Sequence, residues 1–262
     1  MFEPPLDLTN ARILISNDDG INATGLRHLE TVARTLSDDV WTVAPATEQS
    51  AASHSLTLRS PLRIRRHDDR RFSVDGTPTD AVLLAVTHLL KDRPPDLLLS
   101  GINRGGNLGE DITYSGTVAA AMEGTLLDVP SIAISQYFTP DHPPKWATGE
   151  HYLPDLIRRL TAVRWPKNVL LNVNIPDKVV GSVTGVEIVR QGRRRLGGKP
   201  LLLEREDPRG VPYYWIGIAR EAEIEDPGTD LAAIHSGAIS VTPLYLDLTH
   251  HETIGPLREA VE

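Results

Sequence analysis

The run Ile13-Leu14-Ile15-Ser16-Asn17-Asp18-Asp19-Gly20 ends an apolar stretch with an amide, two adjacent carboxylates and a glycine. Like charges side by side repel, and each carboxylate resists losing its water. Such a pair is either left in solvent as a turn, for which Asn, Asp and Gly are common formers, or it shares a neutralising cation. Three further groups of oxygen-bearing residues follow. The segment 46–60 carries Ser50, Ser53, His54 and Ser55. The segment 100–111 carries Ser100, Asn103 and Asn107 among four glycines. Ser115-Gly116-Thr117 then opens an apolar stretch. Carboxylates, hydroxyls and amides without any cysteine suit a hard divalent cation such as Mg²⁺, Mn²⁺ or Ca²⁺. A helix beginning Ser-Gly-Thr offers free N–H groups to a phosphate. Cation and phosphate cradle together point to phosphoryl chemistry. Taken singly, each feature also reads as an ordinary turn, cap or solvated loop. The metal–phosphate reading rests on their meeting at one place.

The elements that must bring them together are legible. Residues 12–17 read as a buried strand. Residues 25–36 place Leu26, Leu29, Val32, Ala33 and Leu36 at helical spacing, and 40–45 give a second strand closed by Pro45. Strand, helix and strand make a βαβ unit, with parallel strands and a right-handed connection. Short strands are expected near 62–66 and 71–74, and then a helix with Thr77 as N-cap, Pro78 at its first position and Asp80 in its first turn. A strand at 96–100, a helix from Ser115, a strand at 131–135, a helix at 151–161 and a strand at 168–174 follow. This alternation predicts an α/β fold, a Rossmann-like doubly wound and mostly parallel sheet. Ligands of such sheets bind beyond the carboxyl ends of the strands, where Asn17, Asp18, Asp19, Ser50, Ser53, His54, Ser55, Ser100, Asn103, Asn107 and the helix start Ser115-Gly116-Thr117 would converge. After about residue 175 the pattern breaks. Strands at 185–190 and across 200–225, with a turn at Pro208-Arg209-Gly210, suggest a hairpin. A strand at 238–248 would return to the core, and 252–261 would form a short helix. A single domain is expected, with its core at about 11–190, a protruding hairpin at about 197–225 and a C-terminal extension at about 226–262.

Composition narrows the function classes. The 262 residues carry a net charge of −8, which disfavours a basic nucleic-acid-binding surface. The absence of cysteine excludes disulfides, thiolate nucleophiles and Cys-ligated zinc. No apolar run approaches the ~20 residues of a membrane span, and the N-terminus lacks the basic start and apolar run of a signal peptide. A cytoplasmic protein is the expectation. No G-x-x-x-x-G-K-[ST], no G-x-G-x-x-G after the first strand, no G-x-S-x-G and no H-E-x-x-H is present.

Several long segments carry a resemblance: "ILISNDDGINATG", "SAASHSLTL", "GTPTDAV", "LLLSGINRGGNLGEDITYSGTVAAAMEG", "LNVNIP" and "PGTDLAAIHSGAISVTPLYLDLT". In this order, from Ile13 to Thr249, the chain resembles the survival protein E (SurE) family of nucleotidases. The resemblance implies a metal-dependent phosphomonoesterase acting on nucleoside 5′- and 3′-monophosphates, some members also shortening polyphosphate. It implies one divalent cation per subunit, Mg²⁺ or Mn²⁺, held by Asp18, Asp19, Ser50 and Asn103. Phosphate contacts would come from Asn107, Ser115, Gly116 and Thr117. It further implies a homodimer or homotetramer, the hairpin and C-terminal extension exchanging contacts between subunits. No nucleic-acid polymer or membrane is expected as a partner. The chain departs from the family pattern at Gln49, where Arg is common, at Ala51, where Gly follows the ligand serine, at His54, where Asn is expected, and at Arg104, where a small residue is usual. The catalytic pair would be Asp18 and Asp19, with Asp19 orienting the attacking water. Adjacent aspartates lack the D-x-D spacing of phospho-aspartate enzymes. A nucleotide- or metal-binding sensor without turnover is the alternative from another class.

Overall fold

The computed structural model describes residues 4–193, 201–217 and 226–262. Its main sheet has nine strands. Arg12–Ser16 (β1), Asp39–Pro45 (β2), Ile64–Asp68 (β3), Arg71–Val74 (β4), Leu97–Arg104 (β5), Ser131–Gln136 (β6), Val169–Ile175 (β7) and Val186–Ile188 (β8) precede a separate hairpin, Leu201–Glu206 (β9) and Pro212–Gly217 (β10). Ile239–Tyr245 (β11) then rejoins the sheet, in the order β3-β4-β2-β1-β5-β6-β7-β11-β8. The six strands from β4 to β7 run parallel. The flanking β3 and β11 are antiparallel to their inner neighbours, and β8 pairs parallel with β11.

Strand alternation divides the core into two layers, because successive side chains leave opposite faces. Ile13, Ile15, Leu97 and Leu99 point to one face and pack with Leu26 and Leu29 of Thr24–Arg34 (α1) and Leu153, Leu156 and Ile157 of Trp146–Thr161 (α4). Leu14 and Leu98 point to the other and pack with Ala81 and Val82 of Pro78–Leu84 (α2) and Ala120 of Gly116–Leu126 (α3). Helices on both faces of a parallel sheet are the doubly wound arrangement anticipated from the alternation. The chain winds outward through β2 and β4, then returns to place β5 on the opposite side of β1. The winding therefore reverses between β1 and β5, the crevice in which such sheets bind ligands.

Local predictions hold where the chemistry is local. Thr77 caps α2 in a capping box, its hydroxyl accepting from the Asp80 N–H while the Asp80 carboxylate accepts from the Thr77 N–H. Ser115 caps α3 by accepting from the Val118 N–H at 3.0 Å. The expected helix at 151–161 starts earlier, at Trp146, and carries Pro154 near its middle. A short helix at Asp230–Ser236 (α5), capped by Thr229, lies where no helix was anticipated. The tail forms the exposed helix His251–Val261 (α6). The hairpin stands apart as its own two-stranded sheet, turned at Pro208-Arg209-Gly210. Of its expected span, 197–200 and 218–225 lie outside the described residues.

Candidate active site

At the carboxyl ends of β1 and β5 lies a cleft of about 920 Å³ lined by Asp18, Asp19, Ser50, Asn103, Asn107 and Ser115, among others. Six of the eight residues expected in the site therefore face one space. Gly116 and Thr117 stand directly behind, against Asp18.

Asn17 makes the turn that presents the two aspartates. Its buried side chain donates to the Gly20 carbonyl and accepts from the Gly20 N–H. Asp18 is then held from two sides: its carboxylate accepts from the Thr117 hydroxyl, and its carbonyl accepts from the Gln49 N–H at 2.8 Å. The first bond ties β1 to α3. The second ties it to the 46–60 segment and positions Ser50. Gly116 permits the close approach, since a Cβ there would sit 2.7 Å from the Asp18 Cβ. The Ser100 hydroxyl donates to the Thr117 carbonyl and pins the start of α3 to β5.

β5 runs four residues further than the apolar pattern suggests, into the glycine-rich segment. Its register with β6 shifts between Ser100 and Asn103, an irregularity of the kind that re-aims side chains beside active sites. Gly101 makes it possible: its φ is +140°, and a Cβ would meet the Ile134 carbonyl oxygen at 2.2 Å. Beyond the shift, Asn103 donates through Nδ2 to the Gly105 carbonyl, so its Oδ1 remains an acceptor. The Arg104 N–H donates to Asp19 Oδ2 at 3.2 Å. Asn107 is an anchor as much as a lining residue. Its N–H donates to Asn174 Oδ1, its carbonyl accepts from Asn172 and Asn174, and one of its amide hydrogens goes to Ser135 Oγ. Among the described residues the second amide hydrogen has no observed acceptor.

The electrostatics explain the opening carboxylate pair. Burial pushes the Asp18 carboxyl up to about 6, against the hydrogen bond from Thr117, and the neighbouring Asp19 charge adds to the rise. Asp19 is also raised, first by burial and then by the charge of Glu48, while the Arg104 N–H opposes the shift. Glu48 accepts from the Ser50 hydroxyl at 2.8 Å. Protein dipoles thus do not fully compensate two inward-facing carboxylates with a third nearby. Two carboxylates, a serine hydroxyl and an amide oxygen form an all-oxygen donor set of the kind Mg²⁺ and Mn²⁺ accept. Among the described residues no cluster of three or more His, Cys, Asp or Glu has metal-binding geometry, so any cation here relies on the neutral oxygens of Ser50 and Asn103 and on water.

Contacts that sequence reasoning missed surround this centre. His54 Nε2 lies 2.9 Å from Glu123 Oε2 and ties the 46–60 segment to α3. Ser53 donates to the Thr113 carbonyl. Asp80 holds Thr57 by two hydrogen bonds. Ala51 has a φ of +61°, left-handed backbone that favours glycine, which gives a physical reason for the glycine usual after the ligand serine in the resembled family. None of these pairings has a sequence signal, since the partners lie 23–69 residues apart.

A doubly wound α/β sheet with an acidic, oxygen-lined cleft at its switch point defines a ligand-binding α/β protein, and comparison with known proteins narrows the class. Residues 13–198 match the family model described as Survival protein SurE. A protein of Paramagnetospirillum magneticum named 5′-nucleotidase SurE is 61% identical, covering 99% of both chains. Another of that name from Rhodospirillum rubrum is 57% identical, covering 99% of this chain and 100% of its own. The crystal structure of the SurE protein from Aquifex aeolicus superposes with a TM-score of 0.83 at 38% identity, covering 96% of this chain and 100% of its own. The chain belongs to the SurE family.

Proposed function

We propose that the protein is a 5′-nucleotidase, hydrolysing nucleoside monophosphates to nucleoside and phosphate with the help of one divalent cation. The relatives' shared name, 5′-nucleotidase SurE, supports the reaction. The observation that carries it in this chain is the meeting of the carboxylate pair with the start of α3, the buried Asp18 touching Thr117 and Gly116. That arrangement suits a phosphate poised between a cation and helix N–H groups.

In this reading Asp18, Asp19, Ser50 and Asn103 hold the cation, Mg²⁺ or Mn²⁺. Bound there, it would act as a Lewis acid toward a phosphate oxygen and make a water molecule more acidic. Ser115, Gly116, Thr117 and the free amide hydrogen of Asn107 receive the phosphate oxygens and stabilise the charge that develops on them. Asp19, with Oδ2 engaged by the Arg104 N–H, uses Oδ1 to orient the attacking water and take its proton. The same cleft would take 3′-monophosphates and short polyphosphate. Self-association into a dimer or tetramer is part of the proposal, supported by the hairpin's exposed Leu202, Trp215 and Ile216. None of the described helices is long and apolar enough to cross a membrane. The cytoplasm, where such nucleotides reside, is the proposed site of action.

The test is phosphate release from 5′- and 3′-nucleoside monophosphates by chelator-stripped protein, with Mg²⁺, Mn²⁺, Ca²⁺ or Zn²⁺ restored separately. Metal-restored release is expected. Asp19→Asn should lower kcat by at least about 100-fold, as loss of a general base does, with little change in thermal stability. Folded wild-type protein that releases no phosphate with any metal would refute turnover and favour a binding protein.

A further inference from the structure

Arg104 is the sole cationic side chain among the described residues lining the cleft, which also receives Asp18, Asp19, Glu48 and Asp111. Its charge reaches Asp19 and works against the rise of that carboxyl. The guanidinium lies over the ring of Phe138, 5.0 Å from the centroid. The sheet register produces this contact. Arg104 pairs with Gln136 across β5 and β6, so Phe138, two residues on, lies on the same side of the extended chain. The Arg104 main chain is meanwhile fixed to Asp19 through its N–H. A cation–π pair thus stands at the residue whose N–H donates to Asp19. Arg104 is exposed and Phe138 half-buried, so the guanidinium retains a face for a further partner.

Two ligand groups suit such a stack: a second phosphate, or the flat ring of a base. The guanidinium already lies over the Phe138 ring, so the pair offers a ligand the face of a plane rather than a free fork of donors. A flat ring suits that face better than a tetrahedral anion and stacks well on guanidinium and aromatic planes. We propose that Arg104 and Phe138 form the nucleobase platform of this enzyme, a specificity determinant peculiar to a chain with arginine at this position. The proposal rests on the phosphatase reading of the same cleft. Stacking reads the area of a base rather than its hydrogen-bonding edge, so the platform accepts every base and favours purines over pyrimidines. The base-less ester ribose 5-phosphate gains nothing from it.

The experiment compares kcat/KM for AMP, CMP and ribose 5-phosphate in wild type, Arg104→Ala, Arg104→Lys and Phe138→Leu, with adenosine binding measured by calorimetry alongside. In Arg104→Ala and Phe138→Leu the AMP to ribose 5-phosphate ratio should fall about tenfold, within the range of base–aromatic stacking. The fall should lie mainly in KM, and the AMP to CMP ratio should move toward one. Arg104→Lys should resemble Arg104→Ala, because an ammonium cannot stack. Equal losses on AMP and ribose 5-phosphate would overturn the platform and assign Arg104 to the phosphate or to Asp19. Calorimetry separates this inference from the reading beneath it. If no substrate is hydrolysed, adenosine binding that weakens in Arg104→Ala still supports the platform. Failure of wild type to bind adenosine at millimolar concentration overturns it.

Discussion

Replacing Gly116 by alanine tests the junction on which the site depends. The added methyl would lie 2.7 Å from the Asp18 Cβ and 3.0 Å from Asp18 Oδ2. Carbon atoms at rest stand about 3.5–4.0 Å apart, so one side must retreat by about 1 Å. Neither has an easy route. Asp18 is 5% exposed and bonded to Thr117, and the start of α3 is pinned to β5 through Ser100. Overpacking of this kind costs about 1–3 kcal/mol. The better helix propensity of alanine returns at most about 1 kcal/mol, and less at the first helical position. A net loss of about 1–2 kcal/mol corresponds to a fall in Tm of about 3–6 °C for a domain of this size. Activity should suffer far more, because displacing a reacting group by 1 Å costs about 100-fold. The assay is kcat/KM for AMP with the restored cation, beside a thermal melt. Gly255→Ala serves as the control: Gly255 lies in the exposed helix α6 with no atom within 4 Å of its would-be Cβ, so it reports propensity alone and should be neutral or stabilising. A Gly116→Ala protein with wild-type Tm and activity within twofold would refute the claim that Asp18 and the α3 start are held in contact.

Two further perturbations address the supports of the cleft. Asp80 is 2% exposed and accepts from the Thr57 N–H, the Thr57 hydroxyl and the Thr77 N–H. Asp80→Ala should therefore cost about 3 kcal/mol by urea denaturation, the range for orphaning buried donors of a charged acceptor, and a loss below about 0.5 kcal/mol would contradict its role. Burial works to raise the Asp177 carboxyl, but the bond from Lys145 and two from Thr139 outweigh it and hold its pKa below the usual range. A depressed folded-state pKa adds stability above the unfolded value of about 3.9 and loses it as pH falls through the folded value. Asp177→Asn should accordingly destabilise at pH 6 and lose less stability than wild type between pH 5 and pH 3. Parallel acid profiles in the two proteins would refute the linkage.

The sequence by itself determined what depends on neighbours along the chain. Apolar runs at 12–17 and 96–100 fixed two buried strands, Thr77 and Ser115 fixed two helix starts, and alternation fixed the doubly wound sheet. The rule that ligands gather at the carboxyl edge of such a sheet then gathered thirteen polar and glycine positions there, of which Asp18, Asp19, Ser50, Asn103, Asn107 and Ser115 line the cleft, while Ser53, His54 and Ser100 instead brace the segments around it. The family motifs were legible for the same reason, being long, ordered and contiguous.

Tertiary structure decided what depends on register and on distant partners. The extension of β5 to Arg104 follows from a register shift against β6, which no periodicity reports. That shift set Arg104 beside Asp19 and over Phe138. Helix α5 is seven residues long, too short for its periodicity to stand out, and depends on the Thr229 cap and on packing of Leu231 and Ile234 against Leu108. The fate of the carboxylate pair was likewise a tertiary matter. In the sequence Asp18 and Asp19 are equivalent neighbours. In the fold Asp18 is buried against Thr117 and Gly116 while Asp19 stays partly open to the cleft, because the Asn17–Gly20 turn beyond β1 sets Asp18 against the start of α3 and Asp19 beside the Arg104 N–H.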